Sequence, residues 1–455
     1  MQGEEEVKVE EEEVKVAEDD LGWEGFTDPN HSGQKFLTKK EAEFRSQIVS
    51  DVNYVISLGL LKGGKTYNGR ILIEFSLSEI QDRDFAEGQD NSSCLFIDYK
   101  GKLIRGLEIN GKKIGKETPN VWNSHRIYIP RSAQLKGKNT AVIDFESSYV
   151  TDCQGFQYYK DDADNEEYIY TELEPDYCHI CYPCFDQPDL KAAQKMLIVA
   201  PSDWTVITNT SEISQTPVAD DAQFKRALKR FVVSPDSPIV TAFNGAEIVA
   251  HEYERSQPIS TYLYCIVAGA FDVMEPEKGK EHPTIPMKLY CRKSLTQYAK
   301  DMKDDWFRVT QCGIAFYEKM FNTPYPFGKF DQVFCPDYSM GAMENVGCVT
   351  YNDEYISRGE AFVRSKTEKI FNTICHEISH MWFGNLVTMK WWDDLWLNES
   401  FANMISFMCM DEAEGLEDVT LAWDIFVDQQ LSGLTTDQKE TSHPIATICK
   451  QTGDA

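Results

Sequence analysis

The feature that most constrains the fold of this 455-residue chain is His376-Glu377-Ile378-Ser379-His380, with Glu399 after eighteen intervening residues. Histidines four apart fall on one face of a helix, one turn apart, so the segment is predicted to be helical. Two imidazoles and one carboxylate are the protein ligands of a catalytic zinc ion, with a fourth position left for water whose pKa zinc lowers to about 7. Glu377 lies beside the first ligand and is the candidate general base; it can later protonate a leaving amine. The candidate metal ligands are therefore His376, His380 and Glu399, for one Zn2+ per chain.

Flanking residues support two helices. Ser365 followed by Glu368 reads as a capping box, Ile370, Ile374, Ile378 and Met381 form an apolar face, and Gly384 is a candidate C-cap. The second helix is expected from about Asp394 to Glu414, ending at Gly415, with Glu399 in its second turn.

Upstream lies Gly341-Ala342-Met343-Glu344-Asn345. Together with His376–His380 and Glu399, this pentapeptide resembles the zinc aminopeptidases of the aminopeptidase N family, within the gluzincins, and looks closest to their alanyl/lysyl branch. The resemblance runs from about Leu37 to the last residue, through Cys184-Phe185-Asp186-Gln187-Pro188-Asp189 and Trp391-Trp392-Asp393-Asp394-Leu395-Trp396. It implies a saddle-like N-terminal β-sandwich followed by a thermolysin-like α/β catalytic domain. It also implies substrates that are peptides with a free N-terminus. Glu344 would pair with the substrate ammonium, whose reference pKa is about 7.7–8.0. Glu174 would be a second amine-binding carboxylate, and the backbone around Gly341, Ala342 and Met343 would pair with the extended peptide. Met340 is either a soft wall of the first side-chain pocket or a packing residue.

The chain departs from the family pattern in three places. Glu172 stands where glutamine is usual, so a third carboxylate would either favour basic first residues or pair with a protein group. Ile180 replaces an arginine. The family's catalytic tyrosine, expected in an Ile-x-Tyr-x-Lys-Gly context beyond Ser442-His443-Pro444-Ile445, has no counterpart; neither Tyr351 nor Tyr355 matches. One oxyanion donor is typically worth about 10²–10³ in rate. The sequence thus reads as the N-terminal part of a longer enzyme. The alternatives are a weak or inactive zinc- or peptide-binding fragment and a thermolysin-like endopeptidase.

Composition narrows the setting. The net charge of −29, from 45 basic and 74 acidic residues, argues against nucleic acid or an anionic membrane as partner. The first twenty residues hold ten acids and two lysines and read as a disordered tail without the apolar core of an export signal. The longest apolar stretch, Thr261 to Val273, is too short to span a bilayer. Thirteen scattered cysteines suggest reduced thiols and a cytoplasmic protein. Cys178, Cys181 and Cys184 are expected to be structural rather than metal ligands, because a fourth ligand at metal-site spacing is missing.

Three parts are expected: tail and linker over 1–40, a β domain over 41–245, and the catalytic domain over 246–455. Ile71, Ile73, Phe75 and Leu77 alternate as in a strand, as do Arg126–Ile129, and Asn110-Gly111 marks a hairpin. A long helix is expected near Leu295–Phe321. Trp382, Trp391, Trp392 and Trp396 read as core and support for the metal site.

Overall fold

Ile71, Ile73, Phe75 and Leu77 are all buried, along the strand Thr66–Leu77. That strand pairs antiparallel with Val49–Gly59 on one side and Gly137–Ser148 on the other. It sits inside a nine-stranded sheet that continues through Ala193–Pro201, Ile248–Tyr253 and Glu212–Pro217. Asn110 and Gly111 turn the chain with φ of +52° and +75°, the left-handed pair that a two-residue hairpin requires. A second sheet orders Thr205–Thr208, Ile266–Gly269, Glu167–Glu172 and Gly155–Lys160, all antiparallel. Both sheets bury side chains in one apolar core. The computed structural model describes residues 23–24, 35–81, 94–115, 118, 121–359, 364–445 and 447–454. Most of the expected acidic tail lies outside the described residues; Trp23–Glu24 pairs with Leu103–Ile109.

A sheet-rich N-terminal part is followed by a part that combines a smaller sheet with long helices. The strands Ile248–Tyr253 and Ile266–Gly269 pair with earlier strands, so sheet membership changes between Gly269 and Phe271. From there a five-stranded sheet runs Phe271–Met274, Leu289–Arg292, Asp331–Cys335, Cys348–Asn352 and, at its edge, Ala342–Met343. The helices Thr296–Phe321, Arg364–His380, Leu395–Glu412 and Ala422–Asp437 complete this part around a second core. The apolar stretch from Thr261 forms a short turn and two strands. Among the described residues no helix is long and apolar enough to cross a membrane.

Three local expectations are corrected. Ser365 lies inside its helix, so no capping box forms with Glu368. The Glu368 carboxylate instead accepts from the backbone N–H groups of Thr420 and Leu421, and so serves the N-terminus of the next helix, Ala422–Asp437. Arg126–Tyr128 alternates in sequence, yet all three residues are buried. Arg126 is admitted to the interior because it donates to both oxygens of Glu41, at 2.7 and 3.1 Å. Trp382, Trp391 and Trp392 are buried, whereas Trp396 is 38% exposed.

The Arg126–Glu41 pair ties the helix Lys39–Ile48 to the sheet. Burial alone would raise the Glu41 carboxyl; Arg126 and Thr38 overcome that and hold it below the usual carboxylate value. Glu41→Ala leaves the guanidinium buried and unpaired, and should cost about 3 kcal/mol in denaturant unfolding at neutral pH. Because the folded value is depressed, the gap between wild type and variant should be complete above about pH 4.3 and shrink as pH falls through the folded value.

Candidate metal centre and substrate site

Ile370, Ile374 and Ile378 are buried at successive turns, which fixes the rotation of the helix Arg364–His380 and turns His376, Glu377 and His380 toward the opposite helix. Gly313, on Thr296–Phe321, lets Ile378 approach; a Cβ there would lie 3.0 Å from Ile378 Cδ1. The helix Leu395–Glu412 packs alongside, with Glu399 in its second turn. Two buried links set the register. Asn372 Nδ2 donates to Ser406 Oγ at 2.8 Å, and the Tyr317 hydroxyl donates to the carbonyl of Cys375 at 2.9 Å and reaches that of Ile405 at 3.4 Å.

One donor atom each from His376, His380 and Glu399 lies within 4.8 Å of the other two. The Nε2 atoms of the histidines are 2.9 Å apart, and Glu399 Oε2 is 3.3 Å from His376 Nε2. His380 Nδ1 faces Asn398 Oδ1 at 3.1 Å and the Phe383 carbonyl at 3.2 Å, which leaves Nε2 to face the centre. Asn398 Nδ2 also donates to Glu399 Oε1 at 3.2 Å, so one amide orients two of the three donors. An orienting group of this kind is what a metal-binding histidine needs. The residues therefore fit a divalent transition metal in donor chemistry and in outer support.

Glu377 is buried, and its Oε2 has no hydrogen-bond partner. Burial, followed by the charges of Glu344 and Glu399, pushes its carboxyl well above the usual range. Glu344 is equally buried with Oε1 unpartnered, 3.9 Å from His380 Nδ1. Its backbone carbonyl accepts from Asn385 Nδ2 at 2.7 Å. Glu174 reaches in from the sheet-rich part: oxygens of Glu174, Glu344 and Glu399 lie within 4.8 Å of one another. Among the described residues Ala342–Met343 pairs with Cys348–Asn352 and forms the edge strand of its sheet. A Cβ at Gly341 would lie 2.8 Å from the Tyr355 hydroxyl. Met340 is 51% exposed beside this strand.

Glu172 pairs with protein groups. It accepts from the Tyr338 hydroxyl and, at 3.3 Å, from the backbone N–H of Glu174. Burial pushes its carboxyl up to about 7. Tyr338, Asn398 and Asn385 were not singled out from sequence; only Asn398, next to a candidate ligand, carried a positional hint. Cys178, Cys184 and Asp186 also cluster. The Asp186 oxygens are taken by His179 and by Thr261 at 2.6 Å, and burial raises both thiols, as for structural cysteines. All thirteen cysteines are free.

A metal-type donor set thus lies beside a buried carboxylate with an unpartnered oxygen and next to the edge strand of a sheet. Residues 307–455 match the Peptidase family M1 domain and residues 53–229 the Peptidase M1 N-terminal domain. Aminopeptidase N of Streptomyces lividans is 32% identical over 412 residues, 90% of this chain and 42% of that protein. Aminopeptidase M1 of Arabidopsis thaliana is 31% identical over 288 residues, 63% and 29% of the two chains. The Probable M1 family aminopeptidase 1 of Encephalitozoon cuniculi (strain GB-M1) is 29% identical over 439 residues, 93% and 44%. The chain belongs to peptidase family M1, a metallopeptidase family. It spans less than half the length of these curated relatives.

Gly384 has φ of +129°, and a Cβ there would collide with Asn398 Oδ1 and lie 3.2 Å from His380 Nδ1. It follows the helix end at His380 by four residues, so its role is this close approach rather than a C-cap. Gly384→Ala should lower stability by about 1–3 kcal/mol in thermal or denaturant unfolding.

Proposed function

We propose that this chain carries the metal and substrate sites of a zinc aminopeptidase that releases N-terminal residues from peptides. The observation that carries the reading is the unpartnered pair Glu344 and Glu174 beside the donors His376, His380 and Glu399. His376, His380 and Glu399 would hold one zinc ion, a set with the catalytic complement of three protein ligands. When bound, zinc supplies Lewis acidity toward the scissile carbonyl and toward water.

The chain's own residues do the rest. Glu377 accepts the proton of the attacking water and returns it to the leaving amine; its free Oε2 is available for both transfers. Glu344 and Glu174 accept hydrogen bonds from the substrate's ammonium, a charge-assisted contact that fixes the end of the peptide. With the amine pinned there, the first peptide bond is the one that meets the metal position. Ala342–Met343 pairs with the peptide backbone as an added strand, with the turn at Gly341 leading into it. Met340 offers a flexible, exposed wall to the first side chain. Glu172 acts indirectly: by accepting from Glu174 N–H it positions that residue and adds negative potential. Thirteen free thiols suit a reducing compartment such as the cytoplasm.

In the intact protein, Glu377→Gln should lower the rate of N-terminal residue release by about 10²–10⁴ while zinc content stays at one per chain. A rate near wild type would end this mechanism. Glu344→Ala should raise KM for free-amine peptides by about tenfold or more, measured by steady-state release of a reporter amine. Unchanged kinetics would remove the anchoring role.

A further inference from the structure

The geometry points to Lys191 as a positioning residue, which holds the loop 384–388 so that Asn385 can fix the backbone of Glu344. The inference rests on the preceding reading for what Glu344 binds.

Lys191 belongs to the sheet-rich part and lies two residues before the strand Ala193–Pro201. Its Nζ donates to the main-chain carbonyl of Asn385 at 2.9 Å and to that of Leu386 at 3.0 Å, 194 and 195 residues along the chain. Burial lowers the amine to about 8, so it still carries its proton near neutral pH and donates as an ammonium. Hydrogen bonds from a charged donor are stronger than those between neutral groups.

The loop that Lys191 grips follows the helix Arg364–His380. Leu386 and Val387 are 41% and 63% exposed, so apolar burial does little to place it. Asn385 between them and the helix is only 1% exposed. Its backbone N–H donates to the His380 carbonyl at 2.9 Å, and its Nδ2 donates to the Glu344 carbonyl at 2.7 Å.

Glu344 follows the short strand Ala342–Met343, in which Met343 pairs with Thr350. Strand pairing thus holds the residue before Glu344, and Asn385 holds Glu344 itself. Oε1 of Glu344 has no hydrogen-bond partner, so the aim of that carboxylate depends on how its backbone is held. A hydrogen-bonded path therefore runs from Lys191 through Asn385 to Glu344, from one part of the molecule into the substrate site of the other.

The test compares wild type, Lys191→Met, Asn385→Ala and the double variant in the zinc-loaded intact protein. Methionine keeps an unbranched apolar stem and removes the ammonium. Lys191→Met should raise KM for a free-amine peptide by about threefold to tenfold with kcat largely retained, the size of coupling expected within one hydrogen-bond network. The inhibition constant of the same peptide N-acetylated, which offers no ammonium to Glu344, should not change; a general loosening of the site would weaken both ligands. The double variant should be no worse than Asn385→Ala, because the two residues act along one path. Hydrogen–deuterium exchange over 383–389 should be faster in Lys191→Met, a readout that needs no substrate. Lys191→Gln, too short to span both carbonyls, carries the same comparison if Lys191→Met does not load one zinc per chain. With Glu344→Ala impaired as expected, a wild-type KM in the lysine variant, equal losses for both peptides, or additive effects in the double variant would overturn the inference, as would unchanged exchange. If Glu344→Ala leaves KM unchanged while exchange is faster in Lys191→Met, the anchoring reading fails and the hold by Lys191 on the loop stands.

Discussion

Every feature of the site depends on the packing of the helix Arg364–His380 against Leu395–Glu412. His376 and His380 are neighbours by helical geometry alone, but Glu399 meets them only if the second helix holds its rotation and register. Ile374, Ile378 and Ile405 are buried in one core shared by the two helices. The Asn372–Ser406 hydrogen bond and the double reach of Tyr317 select one register among those that burial would allow. Buried polar links are well suited to this, since any slip leaves them unpaired at a cost.

A second dependence crosses between the two parts of the molecule. Glu174 belongs to the sheet-rich part and Glu344 to the catalytic part, yet their carboxylates converge. Tyr338 makes the join. Its hydroxyl donates to Glu172 and lies 3.1 Å from Thr350 Oγ1, which in turn accepts from Asn345. A chain of hydrogen bonds thus runs from the end of one sheet to the segment that carries Glu344. The carboxylate at 172 takes part in this join, which explains how an additional buried acid is accommodated where the family resemblance implies glutamine.

Sequence reading succeeded where chemistry and geometry are local. A histidine pair four apart needs only a helix, Asn110-Gly111 needs only the left-handed turn it prefers, and the helix Thr296–Phe321 announces itself over 26 residues. It was less informative where a partner lies far along the chain. Glu368 has the spacing of a capping-box residue, but it caps a helix more than fifty residues away. Arg126 looks like the polar half of an alternating strand, and its burial depends on Glu41, 85 residues earlier. The Tyr338–Glu172 pair spans 166 residues, and no periodicity encodes it. Asn398 was hidden in plain view: it precedes Glu399, but its task of orienting both His380 and Glu399 appears only once the helices are packed.

The central claim is that one metal ion sits between His376, His380 and Glu399. The most direct measurement is the zinc K-edge X-ray absorption spectrum of the zinc-loaded protein. The account predicts a first shell of nitrogen and oxygen with two imidazole signatures, at about 2.0–2.2 Å. A sulfur shell near 2.3 Å would place the ion at Cys178 and Cys184 and would contradict it.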